Sequence, residues 1–133
     1  LRRKMMDEKA LRSGRDNLTT VKDVGEWMRR LKARKLVSPS ADAAMEQILF
    51  AQADTECFPR ALPQAKIAHK TGELEGLYHD AGIIYDSNKG YVLVIFSSKR
   101  ANRGKTLQTM RRLTEAVNES FLSMDLQSKC NSS

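Results

Sequence analysis

The chain has 133 residues, 41% hydrophobic and 29% charged, and its 23 Lys and Arg against 16 Asp and Glu leave a net charge of +7. That length supports one core and not two. The composition excludes wholesale disorder, no apolar run approaches a bilayer span, and none of these residues reads as a secretory leader.

Residues 1–17 are polar and basic, with Gly14 as a breaker and Met5, Met6 and Leu11 as anchors of a loop or short helix. A helix starts at Thr20, whose hydroxyl can cap the first turn, with Asp23 three residues on. Val21, Val24, Trp27, Met28 and Leu31 recur at spacings of three and four, which predicts one apolar face running to about Arg34. Trp27 is expected in the core. Ser38 and Pro39 open a second helix, with Ala41, Ala44, Met45, Ile48 and Leu49 on its inner face. Pro59 and Pro63 bracket an irregular connection.

The periodicity then changes from helical to extended. Lys66 to Thr71 reads as a strand ending at Gly72, Asp80 to Tyr85 as a second, and Tyr91 to Phe96 as a third. The third is an almost unbroken apolar run, the pattern of a strand buried on both faces. Asp86-Ser87-Asn88-Lys89-Gly90 has the residues of a tight turn, so the three strands predict an antiparallel meander. Leu107, Met110, Leu113, Val117, Phe121 and Leu122 line one face of a final helix, with Arg111, Arg112, Glu115, Asn118 and Glu119 on the other. This helix should cover one face of the sheet and the two earlier helices the other.

The basic residues fall in three short runs, Arg2 to Lys4, Arg29 to Lys35 and Lys99 to Lys105, each on a helix or at a helix end. Aromatic residues are only 6% and do not interleave with these runs, so a nucleic-acid partner is not expected. Cys57 and Cys130 are the only cysteines and His69 and His79 the only histidines. Neither set has metal-ligand spacing, so no metal site and no cofactor are expected. Cys57 reads as semi-buried and Cys130 as part of a polar tail, and a disulfide between them stays open.

At the end of the first strand stands Lys70-Thr71-Gly72-Glu73. A strand edge can dock an amide-like ligand through backbone hydrogen bonds, as an added strand would. Lysine beside that edge supplies a positive charge for a carboxylate, threonine a hydroxyl, and glycine room for close approach. Lys-Thr-Gly is one of three motifs of serine β-lactamases and penicillin-binding proteins.

Several pieces resemble the carboxy-terminal half of a class A serine β-lactamase, in order. Arg15-Asp16-Asn17-Leu18-Thr19-Thr20 is similar to the stretch closing that family's omega loop. Phe58 to Pro63 resembles the segment leading into the motif strand, Ala68 to Glu73 the strand itself, His79 to Tyr85 the next strand, and Leu107 to Leu122 the closing helix. The resemblance implies an α/β fold: an antiparallel sheet with three strands visible, flanked by helices, as part of a β-lactamase/transpeptidase-like fold. It implies a single unit over 1–133, with an omega-loop-like segment at 1–17, helices over 18–55, the meander over 64–98 and the closing helix over 104–124.

By the same resemblance Lys70 is a catalytic residue that aids proton traffic. Lys70 and Thr71 would bind the ligand carboxylate, Gly72 would permit docking, and the Glu73 backbone N–H would help form an oxyanion hole. Arg15 and Asp16 would hold the omega loop. The implied partner is a β-lactam or a peptide-like small molecule, and the implied location is bacterial, exported to the periplasm or secreted.

The departures are as informative. No serine is followed three residues on by lysine and Ser-Asp-Asn is absent, so the chain has the docking strand and lacks the family's nucleophile and general base. Where some relatives carry an arginine early in the second strand, this chain has His79, Asp80 and Ala81. A start at Leu1 and not Met leads us to expect a missing amino-terminal segment, or a second chain, that completes the fold and supplies those groups. The chain alone is expected to be inactive. The alternatives are a non-catalytic interaction module with the same fold and a protein acting on D-Ala-D-Ala ends.

Overall fold

The structure, a computed structural model, describes residues 2–86, 90–99 and 102–130. The elements in chain order are α1 (Glu8–Arg12), α2 (Val21–Lys32), α3 (Pro39–Phe50), α4 (Phe58–Ala61), β1 (Lys66–Leu74), β2 (Leu77–Tyr85), β3 (Tyr91–Ser97) and α5 (Arg103–Cys130). The strands form one antiparallel sheet in the order β1-β2-β3. Helices α2 and α3 lie on one face, and α5, joined by α4, on the other.

The local start signals act as read. The Thr20 hydroxyl accepts from the Asp23 N–H at 3.1 Å and donates to the Asp23 carboxylate at 2.9 Å. The Ser38 hydroxyl accepts from the Ala41 N–H at 3.2 Å, with Pro39 in the first turn of α3. Helix α2 ends at Lys32, and after the cap residue Ala33 the chain takes a left-handed conformation at Arg34, φ 58°. The Lys35 N–H then closes back on the Arg30 carbonyl at 2.9 Å, satisfying a helix-end acceptor.

Strand alternation sends side chains into two cores. Ile67, Tyr78, Ile84, Leu107 and Met110 pack with Cys57 and Phe58 on the α5 side. Met28, Leu31, Ala68, Ala81 and Ile83 pack on the α2–α3 side. The central strand β2 is the most buried. At Gly82 an added Cβ would meet the His69 Cβ at 2.6 Å and the Ala68 carbonyl oxygen at 2.8 Å. Gly82→Ala is therefore expected to cost about 1–3 kcal/mol, measured as a lower midpoint of chemical denaturation. A midpoint equal to wild type would show that β1 yields freely here.

Several expectations change. Strands β1 and β2 run on to Leu74 and Leu77, so the motif lies inside a strand and not at its end. The turn between them is only Glu75-Gly76, with Gly76 at φ 73°, a conformation open to glycine at little cost. Strand β3 is not buried on both faces: all seven of its residues are half-buried, because its outer edge has no strand beside it among the described residues. Residues 87–89 of the expected second turn lie outside the described residues.

Met5, Met6 and Leu11 are exposed and anchor nothing; Ala10 is the buried residue of α1. On the inner side of α3, Met45 and Leu49 pack against the core as expected, but Asp42 and Glu46 are its buried residues, while Ile48 is exposed. These carboxylates are tolerated because they are satisfied. Asp42 accepts from the Leu36 and Val37 N–H groups at 2.8 and 3.0 Å, and Glu46 bonds Arg34 and the Tyr85 hydroxyl. The bracketed connection contains the short helix α4, and Cys57 is fully buried. Helix α5 continues to Cys130, past its expected end at 124, so the polar tail read there is helical up to that residue. The stripe that α5 buries is Leu107, Met110, Thr114, Asn118 and Asp125, while Leu113 and Val117 are exposed.

Candidate active site on the outer edge of β1

Strand β1 is an edge strand, and Lys70, Thr71, Gly72 and Glu73 occupy its second half. The direction of its backbone groups follows from the ladder. The Tyr78 N–H donates to the Ser97 hydroxyl at 3.0 Å, and the Tyr78 carbonyl accepts from that hydroxyl at 2.7 Å. The hydrogen-bonding groups of Tyr78 thus face β3, and its partner Glu73 turns its own N–H and C=O toward the outer edge. Thr71, two residues back, shares that direction, and the Lys70 ammonium reaches its carbonyl oxygen.

Side chains alternate across the same stretch. Lys70 pairs with Ala81, and Gly72 with His79, on the α2–α3 side. Two clefts meet there. One, of about 320 Å³, has Lys70, Thr71 and Gly72 along one wall and Val24, Trp27, Met28 and Leu49 opposite. The other, of about 440 Å³, lies between Asp16 to Thr19 and Gly72 to Leu74. Both include Gly72, His79 and Phe96. Trp27, expected in the core, is 41% exposed and forms cleft wall. His79 stacks on Phe96 with ring centroids 4.3 Å apart, and its Nδ1 accepts from the Ser97 N–H at 3.2 Å. That bond fixes the neutral ring as the Nε2–H tautomer.

Thr71 and Glu73 point their side chains to the α5 side, where a polar layer supports the strand from behind. The Asp54 carboxylate accepts from the Tyr78 hydroxyl at 2.9 Å, with the Thr71 hydroxyl beside it. Burial pushes Asp54 up, but the Glu56 N–H and these two hydroxyls outweigh it and hold the carboxyl below its ordinary range. Deeper in, the Asp80 carboxylate meets His69 Nδ1 at 2.8 Å and accepts from the Phe58 N–H at 3.2 Å. Both side chains of that pair are buried. Desolvation raises the Asp80 carboxyl above the usual carboxylate range, although His69 and the Phe58 N–H oppose it. Burial, with Asp80 alongside, likewise pushes the Cys57 thiol up, away from a reactive thiolate.

The four residues singled out from the sequence therefore share one strand edge but divide between its faces. His69, read as a locally packed strand residue, is half of the buried pair. Trp27, Asp54 and Asp80 were not singled out as site residues; burial of a carboxylate cannot be read from its neighbours in sequence. Among the described residues no group of three or more His, Cys, Asp or Glu is placed to hold a metal ion. No described helix is long and apolar enough to cross a membrane.

The sequence signature of the β-lactamase enzyme family matches residues 1–121, and the chain belongs to that family. Solved structures share its fold. PBP-A superimposes with a TM-score of 0.75 at 23% identity over 83% of this chain. The β-lactamase from Sphaerobacter thermophilus gives 0.70 at 22% over 74%, and the TLA-1 extended-spectrum β-lactamase 0.74 at 17% over 86%. The chain spans only 42%, 38% and 46% of those three proteins. A second PBP-A structure, of its L158E mutant, is an acyl-enzyme complex with penicillin G. No curated protein sequence matches the chain.

Proposed function

We propose that this chain is the ligand-docking part of a serine β-lactam hydrolase, whose attacking serine and general base come from outside these 133 residues. The observation that carries this reading is the position of Lys70-Thr71-Gly72 on the outer edge of an edge strand, beside two clefts. A β-lactam lies along that edge as a short added strand. Lys70 attracts its carboxylate and supports proton transfer at the serine, and Gly72 keeps the edge bare. The outward Glu73 N–H donates to the oxyanion that forms when the amide carbonyl is attacked. With its hydroxyl beside Asp54, Thr71 serves the carboxylate less directly than Lys70 does. The whole unit, with residues 1–17 as omega-loop-like segment, is completed by an amino-terminal part and works after export from a bacterial cytoplasm.

That part has a place to dock. The outer edge of β3 is bare among the described residues. Beside it a groove of about 400 Å³ runs between β3 and α5, lined by Ile95, Phe96, Met110 and Leu113. An uncovered strand edge beside apolar surface drives association. The chain alone is expected to elute above its monomer mass and to shift to a one-to-one complex on co-expression with the upstream segment. A stable monomer indifferent to that segment would count against completion.

The activity test uses a chromogenic cephalosporin. The 133-residue chain alone gives no turnover above background. The completed protein gives turnover, and penicillin G adds its mass to a serine outside this chain. Turnover by the purified chain alone, or no acyl adduct on the completed protein, would overturn the reading.

A further inference from the structure

We infer that Arg103 is a positioning residue, holding Glu73 from the face opposite the clefts so that the Glu73 backbone stays set along the outer edge of β1. The inference rests on the reading of that edge as one side of an oxyanion hole. Arg103 opens α5 and bridges three parts of the chain. Its Nε donates to Glu73 Oε1 at 2.8 Å and its Nη2 to Glu73 Oε2 at 3.1 Å. The same Nη2 bonds Glu56, in the loop before α4. The guanidinium also lies over the Tyr78 ring, 5.7 Å from its centroid, and Tyr78 is the register partner of Glu73. The Glu56 end is itself anchored, since Arg111 Nε donates to the Glu56 carbonyl oxygen at 2.7 Å.

The cost and benefit of this arrangement point away from stability. The side chains of Arg103, Glu56 and Glu73 are 40%, 43% and 35% exposed, and ion pairs this wet contribute little to folding. A planar fork on a carboxylate, however, fixes direction as well as distance. Glu73 needs such a tie. It sits one residue from the end of β1, with β2 on one side only, next to a two-residue turn. A strand end held by one neighbour frays, and a displacement near 1 Å in a reacting constellation lowers rate by about a hundredfold.

The test compares R103Q and R103K. In the completed protein, the acylation rate at saturating penicillin G should fall at least about tenfold in both variants. Half-saturation should move by less than about threefold, and melting by less than about 3 °C. R103K keeps the charge but loses the fork, so a wild-type rate in R103K would overturn the inference. So would a fall in R103Q that merely tracks its folded fraction. In the completed protein, ¹⁵N relaxation should show the Gly72 and Glu73 amides of R103Q dropping from order parameters of about 0.85 to below about 0.6. Ile83 and Ile84 should stay unchanged, and unchanged order at Glu73 would refute the clamp. Failure of the unsubstituted protein to acylate would sink the functional reading, while the relaxation comparison would still decide what Arg103 does.

Discussion

Lys70→Ala in the completed protein should fold normally and lose kcat/KM toward a chromogenic cephalosporin by about 10²–10³-fold, the size seen when one preorganised electrostatic contact is removed from an acyl-transfer site. Lys70 is exposed, and its ammonium has no carboxylate partner in the ion pairs among the described residues. Its removal therefore strands no buried charge. Lys70→Arg keeps the charge but changes reach and geometry, so partial activity is expected there. A K70A protein with full activity would detach the motif from the chemistry, whatever the fold.

The largest effect on stability is expected at Asp80. Asp80→Ala leaves the His69 ring and the Phe58 N–H without their buried acceptor, at a cost of about 1–3 kcal/mol for each group left unsatisfied. Urea denaturation reads this directly, and a loss below about 1 kcal/mol would show that water or a rearranged His69 replaces the carboxylate. Asp80→Asn keeps one acceptor and should fall between. Acidity gives a second handle. Burial holds Asp80 above its ordinary value of 3.8, so between that value and its native pKa the folded chain binds a proton that the unfolded chain does not. The proton-linked part of the Asp80 contribution is then fully present below pH 3.8 and is lost as pH rises through the native pKa. Asp54 lies below 3.8 in the fold, so its contribution is present above that value and is lost as pH falls through its native pKa. D80N and D54N should flatten opposite limbs of the stability profile.

What the sequence revealed, and what it hid, divides by range. Thr20 and Ser38 were legible as caps because a cap is made within three residues of itself. The meander was legible because each hairpin is a local event, and the two-sided helix cover followed from the buried central strand. The inner side of α3 was legible only in part: Met45 and Leu49 pack against the core as read, but the two buried carboxylates were not visible. Asp42 and Glu46 face inward because Leu36, Val37 and Tyr85 offer them hydrogen bonds, and Tyr85 lies 39 residues from Glu46. The apolar run of β3 reports the surroundings the strand suits, not how many strands flank it here. Helix α5 outran its expected end because no glycine or proline stands between Met124 and Cys130 to stop it.

The site was half legible in the same sense. Lys70-Thr71-Gly72 is visible as a string, and its edge position followed from the first strand having only one hairpin neighbour. The support behind it was not visible. Arg103 and Glu73 are 30 residues apart, and Arg103 and Glu56 are 47 apart, with no periodic pattern to link them. Trp27 read as core because its spacing fits the α2 stripe, yet the stripe is wider than the surface the sheet offers.

The alternation along the strands divides the packed side chains between two interiors, Ile67, Tyr78 and Ile84 with the α5 packing and Ala68, Ala81 and Ile83 with the α2–α3 packing. The motif residues lie on the corresponding faces of the exposed edge. Substitutions should therefore show patterned epistasis. Pairs drawn from opposite interiors and not in contact, such as Met28 with Met110, should combine nearly additively, and touching pairs within one interior should not. A library of double variants would sort these residues into two non-interacting groups, and drift in one interior could proceed without retuning the other.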